Sequence, residues 1–347
     1  MFPIIHKLML GFTSRRTVSS PRRMTKHEKI AYIRTIADYL FEKAERDDKV
    51  AFLLGYGKHP RLGSLQGAFT TFTHQVEGYL FQPPMGLVGE PSIGVYNLGS
   101  ALLTAQTVIL DIIGGGGGGG GAGQNTSSAP GQGGMGGSDG GRMILKLLGT
   151  VDSGTITVGA TGAGGIGGGV SGANGGNGQP GYPSTVTLNT GVSTVSTKTL
   201  APFPQPAPEP GQNAGGAGGQ GGNAILKYDS NVGFSFLYQD NGLSYSTNPS
   251  PSTIQGYGAY GIASEYITSY GPTVLWTRGT TLPAYQPPGS GSNGNNGTNA
   301  YANVPSGSIY ARGAGGGGSG PTPNPTIYNG GFGGNGGPGL VILLYVI

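Results

Sequence analysis

The side chains most suited to chemistry are few and scattered. Four histidines, His6, His27, His59 and His74, all precede the glycine-rich part of the chain and lack metal-ligand spacing. His59 and His74 could meet only through folding, and a surface or internally bonded role is the simpler reading. With no cysteine there is no thiolate metal site and no disulfide framework. Asp111, Asp139, Asp152 and Asp229 are too isolated for paired-carboxylate chemistry, and Ser138-Asp139-Gly140-Gly141 reads as a turn. Gly162-Ala163-Gly164-Gly165-Ile166-Gly167 has the spacing of a dinucleotide loop. Such a loop needs a helix next and an acid about 20 residues on, and here more glycine follows. No nucleophile–base–acid set stands out. These residues point away from an enzyme and imply no cofactor and no metal.

The elements that would position any site are unusual in composition. Gly 73 and Pro 25 among 347 residues reach the level at which non-periodic chains are called low-complexity. Yet hydrophobic residues are 35% and charged residues only 10%, whereas solvated disordered chains are charge-rich. The β-branched runs also require burial. The longest apolar run, Leu340 to Ile347, is far too short to span a membrane as a helix. Charge is unevenly placed: residues 1–61 hold 13 of the 19 Lys/Arg and 6 of the 15 Asp/Glu, and the remainder is net acidic. The two portions are expected to do different jobs.

Residues 1–24 read as a basic arm carrying Lys7, Arg15, Arg16, Arg22 and Arg23. Leu8-Met9-Leu10 is too short for the core of a secretory signal; a transit peptide would share the basic, acid-free character, and Met24 would serve equally as a start. Residues 25–106 read as a helical or mixed region for attachment or oligomerisation. Thr25 with Glu28 has the capping-box pattern, and Ile30, Ile33, Ala37, Leu40, Phe41 and Ala44 follow at helical spacing. This predicts an N-terminal α-helix over 25–46, either docked on its own fold or holding an oligomer together. Nucleic-acid binding by the arm is not favoured, because no aromatic-plus-basic module follows it.

From Thr107 the chain turns to β-strands: TVILDII, RMILKLLG, GTITVGA and STVTL, the last two alternating with period two. Further candidates are Ala224 to Tyr228, Gly233 to Tyr238, Thr273 to Thr277 and the terminal LVILLYVI. Short strands with long insertions suggest a mainly β fold, an antiparallel β-sandwich of jelly-roll type, over residues 107–347. Between the strands lie glycine tracts at 114–123, 131–141, 162–181, 211–222, 313–320 and 329–339. Leu200 to Pro210 carries proline at every second position and favours extended polyproline II. That conformation has no internal hydrogen bonds, so its backbone groups need outside partners. Bare glycine segments can supply them to one another, because without Cβ atoms their backbones approach closely. The tracts are therefore expected to form a polyglycine-II bundle, slow in hydrogen exchange.

The opening ILDIIGGGGGGGGAG, the middle GTITVGATGAGGIGG…GANGGNGQPG…STVTL and the ending GGFGGNGGPGLVILLYV resemble, in order, a glycine-rich domain found near the C-termini of bacteriophage tail-fibre and adhesin proteins. The resemblance covers about 107–347. A related arrangement, a β-sandwich sprouting polyglycine helices, occurs in anaplastic lymphoma kinase-type receptors, whose cysteines this chain lacks. The phage resemblance implies a non-enzymatic virion structural protein at the particle surface, a tail fibre or receptor-binding adhesin. Its partners would be other virion proteins, copies of itself and a host-cell receptor. A capsid decoration protein or head fibre is the alternative, and a cellular surface- or ice-binding protein a more distant one. In such adhesins a rigid glycine frame displays aromatic and polar loops. The matching feature is the insertion 228–310, whose candidate contact residues are Tyr257, Tyr260, Tyr266, Tyr270, Trp276 and Tyr285. Phe234, Phe236 and Leu275 within it have the look of core residues.

Overall fold

The computed structural model describes residues 22–25, 29, 76–81, 94–98, 107–124, 126, 131–138, 140–148, 151–169, 174–197, 207–208, 211, 213–239, 265–270, 273–278, 310–312 and 329–346. Within them the protein is mainly β. The strands, in chain order, are β1 (Arg22–Arg23), β2 (Val76–Phe81), β3 (Gly94–Leu98), β4 (Thr107–Ile113), β5 (Arg142–Leu147), β6 (Gly154–Val158), β7 (Ser184–Leu188), β8 (Ser193–Ser196), β9 (Ala224–Tyr228), β10 (Phe234–Gln239), β11 (Glu265–Tyr270), β12 (Thr273–Arg278), β13 (Tyr310–Arg312) and β14 (Leu340–Val346).

One sheet has six strands in the order β1-β2-β14-β4-β5-β10, all antiparallel. Its centre is β14, paired with β2 on one side and β4 on the other. Leu340, Val341, Ile342, Leu343 and Leu344 are all buried. A strand covered on both faces needs no alternation, which is why its sequence is a continuous apolar run. On β4, Val108, Leu110 and Ile112 join the main core, while Ile109, Asp111 and Ile113 take the other face and are also buried. β10 pairs with β5 across an irregularity between Phe236 and Tyr238.

The second sheet has five strands in the order β3-β6-β7-β9-β8. Strands β6 and β7 alternate buried and half-buried residues along their length. They therefore have one face inside and one outside, as their period-two sequences require. Ile156, Val158, Val186, Leu188 and Leu226 from this sheet share one hydrophobic cluster with Tyr79, Leu110, Met143, Leu145 and Val341 from the first. Phe81 of β2 meets Tyr96 of β3 edge to face at 5.0 Å, so the two sheets pack face to face. Tyr79 and Tyr345 stack across β2 and β14 at 6.2 Å. Phe234 and Phe236 are partly buried against the same core, and Phe234 packs edge to face with both Tyr228 and Phe236.

Several features differ from expectation. The second sheet is mixed, not antiparallel, because β7 and β9 run parallel. The chain leaves β7, makes the edge strand β8, and returns along a glycine tract that delivers β9 in the same direction as β7. The strand orders do not establish a jelly roll. The helix expected over 25–46, with Ile30, Ile33, Ala37, Leu40, Phe41 and Ala44, lies outside the described residues except for Thr25 and Lys29. The Lys29 N–H donates to the Thr25 carbonyl at 3.0 Å, one bond that does not establish a helix. Arg22 and Arg23, read as part of the basic N-terminal arm, pair with Leu80 and Tyr79 at the edge of the six-stranded sheet. A further sheet, β12-β11-β13, is antiparallel.

Candidate functional site: glycine tracts rooted in the sheets

Among the described residues no three His, Cys, Asp or Glu side chains gather as metal ligands. No helix among them is long and apolar enough to cross a membrane. Asp111 and Arg142 form a buried ion pair on neighbouring strands, Nε to Oδ1 at 2.8 Å and Nη2 to Oδ2 at 2.5 Å. Both are less than 6% exposed, so this bidentate pair works inside the fold, at the base of the first glycine tract. What is organised with most regularity is the backbone.

Six tracts are described, and each is continuous with a strand. Tract 1 (114–123) leaves β4 and tract 3 (159–168) leaves β6. Tracts 2 (131–141), 4 (174–183), 5 (213–223) and 6 (329–339) enter β5, β7, β9 and β14. The expected single tract 162–181 is thus two tracts, with Gly169 in the left-handed region (φ 93°) where tract 3 ends. Ser184 ties the roots together: its hydroxyl donates to the Ile113 carbonyl at 2.6 Å and accepts from the Gly159 N–H at 3.0 Å.

Tract 1 is the axis. Its ten N–H groups, from Gly114 to Gly123, donate in strict rotation to three neighbours at 2.7–2.9 Å. Residues 114, 117, 120 and 123 donate to Gly141, Ser138, Met135 and Gln132 of tract 2; residues 115, 118 and 121 to Tyr182, Gln179 and Gly176 of tract 4; and residues 116, 119 and 122 to Gly337, Gly334 and Gly331 of tract 6. Partner numbers fall as tract 1 numbers rise, so all three neighbours run antiparallel to it. Its carbonyls accept in return. Those of 115, 118 and 121 take N–H groups from Gly222, Gly219 and Gly216 of tract 5, and those of 116, 119 and 122 from Gly162, Gly165 and Gly168 of tract 3.

The outer tracts bond to one another with the same period. Tract 5 accepts from tract 2 (Met135 N–H to Gly216) and from tract 4 (Gly178 N–H to Ala217), so it lies between them. Tract 3 accepts from tract 4 (Gln179 N–H to Ala163) and tract 6 (Gly333 N–H to Gly165) and lies between those. This closeness excludes side chains from the axis. A Cβ on Gly117 would fall on the carbonyl oxygen of Gly219, and one on Gly118 on that of Ala163. Every residue of tract 1 is buried, including its one alanine, Ala122.

Period three also appears in the sequence of the outer tracts. Non-glycine residues recur at 132, 135 and 138; 160, 163 and 166; 174, 177 and 180; 214, 217 and 220; and 329, 332, 335 and 338. Exposure follows in tract 5, where 214, 217 and 220 are more open than the buried pairs between them. The side chains at these positions finish the hydrogen bonding. Asn174 and Asn177 accept from the Ala214 and Ala217 N–H groups at 2.9 Å, and Asn335 from Gly164 at 2.9 Å. Gln132 and Ser138 accept from Gly215 at 3.0 Å and Gly221 at 2.9 Å. Pro180 and Pro338 fall on the same positions.

The aromatic candidates fall only partly within the described residues. Tyr257, Tyr260 and Tyr285 lie outside the described residues. Tyr266 and Tyr270 are on β11 opposite Thr277 and Thr273, and Trp276 is on β12 opposite Ile267.

At the base of the second sheet a compact turn is held by Asp229. Its carboxylate accepts from the Thr190 N–H and hydroxyl, the Asn189 amide and the Asn231 N–H at 3.1–3.5 Å. Burial pushes the Asp229 carboxyl up, but the hydrogen bonds from Thr190, Asn231 and Asn189 outweigh it and hold the group below the usual aspartate value. Asn189 adopts φ 53°, a left-handed conformation that asparagine tolerates, and its side chain accepts from Asp152 N–H at 2.8 Å.

Comparison with curated proteins and with solved structures finds no match to the chain. A family model described as a glycine-rich domain matches residues 100–346, from just before β4 through β14. The chain therefore belongs to the glycine-rich domain family, and the rooted tracts are the part of it that the family spans.

Proposed function

We propose that this protein is a non-enzymatic structural component of a bacteriophage virion, a tail fibre or receptor-binding adhesin, whose tracts are polyglycine-II rods. The observation that carries the reading is the three-residue rotation of hydrogen bonds around tract 1. Polyglycine II and polyproline II repeat every three residues and must find all their partners in neighbouring chains. A tract of ten residues at ~3.1 Å per residue would be about 31 Å long. The connections from tract 1 to tract 2 and from tract 3 to tract 4 leave from the ends remote from the strands, as loops displayed on a rigid frame would. The three-part motif supplies the phage context. The aromatic insertion 228–310 supplies contact residues, with Tyr266, Tyr270 and Trp276 among the candidates.

A head fibre or capsid decoration protein is the second reading. Immunogold labelling of intact particles with antibody against residues 228–310 separates the two. Gold at the tail tip, with purified protein competing for host cells, is the expected result. Gold spread over the head transfers the protein to the second reading, and particles that carry none exclude both.

A further inference from the structure

We infer that three Asn–Gly pairs in the tracts, Asn174–Gly175, Asn177–Gly178 and Asn335–Gly336, are latent self-modification sites. Closed tracts hold them unreactive. A tract that opens converts them, and one of the products keeps it from closing again in phase.

The chemistry belongs to the dipeptide. The glycine nitrogen can attack Cγ of the preceding asparagine, because no Cβ on the glycine stands in the way. The N–Cγ bond forms, the carboxamide nitrogen leaves as ammonia with the peptide proton, and a five-membered succinimide results. Water then opens the ring. Cleavage at the side-chain carbonyl gives aspartate. Cleavage at the main-chain carbonyl gives isoaspartate, whose main chain runs through the former side chain and is one carbon longer. Water is the only other reactant.

The packing demands this dipeptide. Asparagine recurs where a side chain can reach the next tract, and the residue after it must be bare. A Cβ on Gly175 would fall on the Gly121 carbonyl oxygen, one on Gly178 on that of Gly118, and one on Gly336 on that of Gly116.

The same packing holds the two reacting groups apart. The Gly175 N–H donates to the Ala214 carbonyl at 2.8 Å, and Asn174 Oδ1 accepts from the Ala214 N–H at 2.9 Å. The pair thus grips one residue of tract 5 through both groups. Asn177–Gly178 grips Ala217 in the same way, with both bonds at 2.9 Å. In tract 6, the Gly336 N–H donates to Gly162 and Asn335 Oδ1 accepts from the Gly164 N–H, each at 2.9 Å. Attack requires the carboxamide to swing back onto its own main chain and the glycine N–H to be given up, which breaks both bonds. Asn174 and Asn177 are exposed, so these bonds, and not the exclusion of water, restrain the reaction. Aspartate would keep the main chain and an acceptor oxygen. Isoaspartate would shift every residue beyond it out of the three-residue rotation.

Peptide mapping by mass spectrometry of the full-length chain, incubated at mildly alkaline pH with and without urea, tests this. The three sites should deamidate roughly 100-fold or more slower in the folded protein than in urea, because reaction proceeds only through opening. Folded-state rates within a few-fold of those in urea overturn the inference. Ala217→Pro removes the N–H that holds Asn177 and keeps an extended backbone. It should speed deamidation at Asn177 several-fold while Asn335 in the same molecule stays slow. An unchanged rate at Asn177 overturns the role of the grip. If both sites accelerate, the variant has unfolded, and the natural chain with and without urea decides. After partial reaction in urea and its removal, the refolded fraction should be depleted of isoaspartate at these sites but not of aspartate. Equal retention of the two contradicts the block to closing.

Discussion

At the residue scale, stability depends on atoms that are missing and on one pair that is present. A methyl group at position 118 would fall on the Ala163 carbonyl, and both segments are fixed by neighbours. Gly118→Ala should therefore destabilise the protein by about 1–3 kcal/mol, as overpacking does. Ala217→Ser, at an outward position, should stay within about 0.5 kcal/mol. Urea unfolding of the two variants checks this, and equal midpoints would remove the close-packing argument. Asp111 and Arg142 make the opposite case. Asp111→Ala strands a buried guanidinium and should cost about 3–5 kcal/mol, whereas Asp111→Ala with Arg142→Met should recover much of it. A double-mutant cycle measures the difference, and additive losses would mean that the pair is not coupled. The Asp229 turn carries the pH dependence. A carboxyl held below its ordinary value stabilises the fold above about pH 4 and loses that contribution as pH falls through the lowered folded-state value. Asp229→Asn should be less stable than the natural protein at neutral pH, and the gap should close in acid. A gap that does not change with pH would contradict the assignment.

At the element scale, a tract behaves as a unit with a phase. Each of the three faces of tract 1 meets a different partner, and in tract 5 the glycines are buried while Ala214, Ala217 and Gln220 recur on the more open side. One extra glycine between Gly178 and Gln179 would turn every residue of tract 4 on its remote side by a third of a turn, placing Asn174 and Asn177 away from the Ala214 and Ala217 N–H groups. Three extra glycines would preserve the phase. The single insertion should lower the thermal midpoint more than the triple one; the reverse order would show that length, not phase, governs the packing. The strands differ in how plainly they announce themselves. GTITV and STVTL alternate because one face is covered, and LVILLYV does not because its inner residues are buried on both faces. Arg22–Arg23 gave no sequence sign of a strand, since two edge residues held by two pairings carry no periodicity.

At the scale of the whole molecule, the sheets and the tracts are one construction. Tracts leave or enter β4, β5, β6, β7, β9 and β14, so the spacing of strands in two sheets sets the spacing of tracts above them. The strands β2 and β3, which precede the glycine-rich part, lie in both sheets: β2 pairs with β14 and β3 with β6. Under the proposed function, residues 25–54 hold the assembly together. Deleting them should leave a soluble β domain that no longer oligomerises, as light scattering would register. A deletion variant that still assembles would move the oligomer contact elsewhere.

The amino-acid sequence by itself determined that the protein is mainly β and that glycine tracts grow from its strands. These follow from short-range rules: strand periodicity, and the link between missing side chains and close backbone approach. The triplet spacing of Ala214, Ala217 and Gln220 was equally legible, and it marks the more open side of tract 5. Only the tertiary structure decided which tract is the axis, that 162–181 is two tracts, that β7 and β9 run parallel, and that Asp111 meets Arg142. Glycine segments are nearly identical in local sequence, so nothing within one tract says which others it will bond. That choice is made by the strands at their roots, whose pairings join residues as distant as Phe81 and Val341.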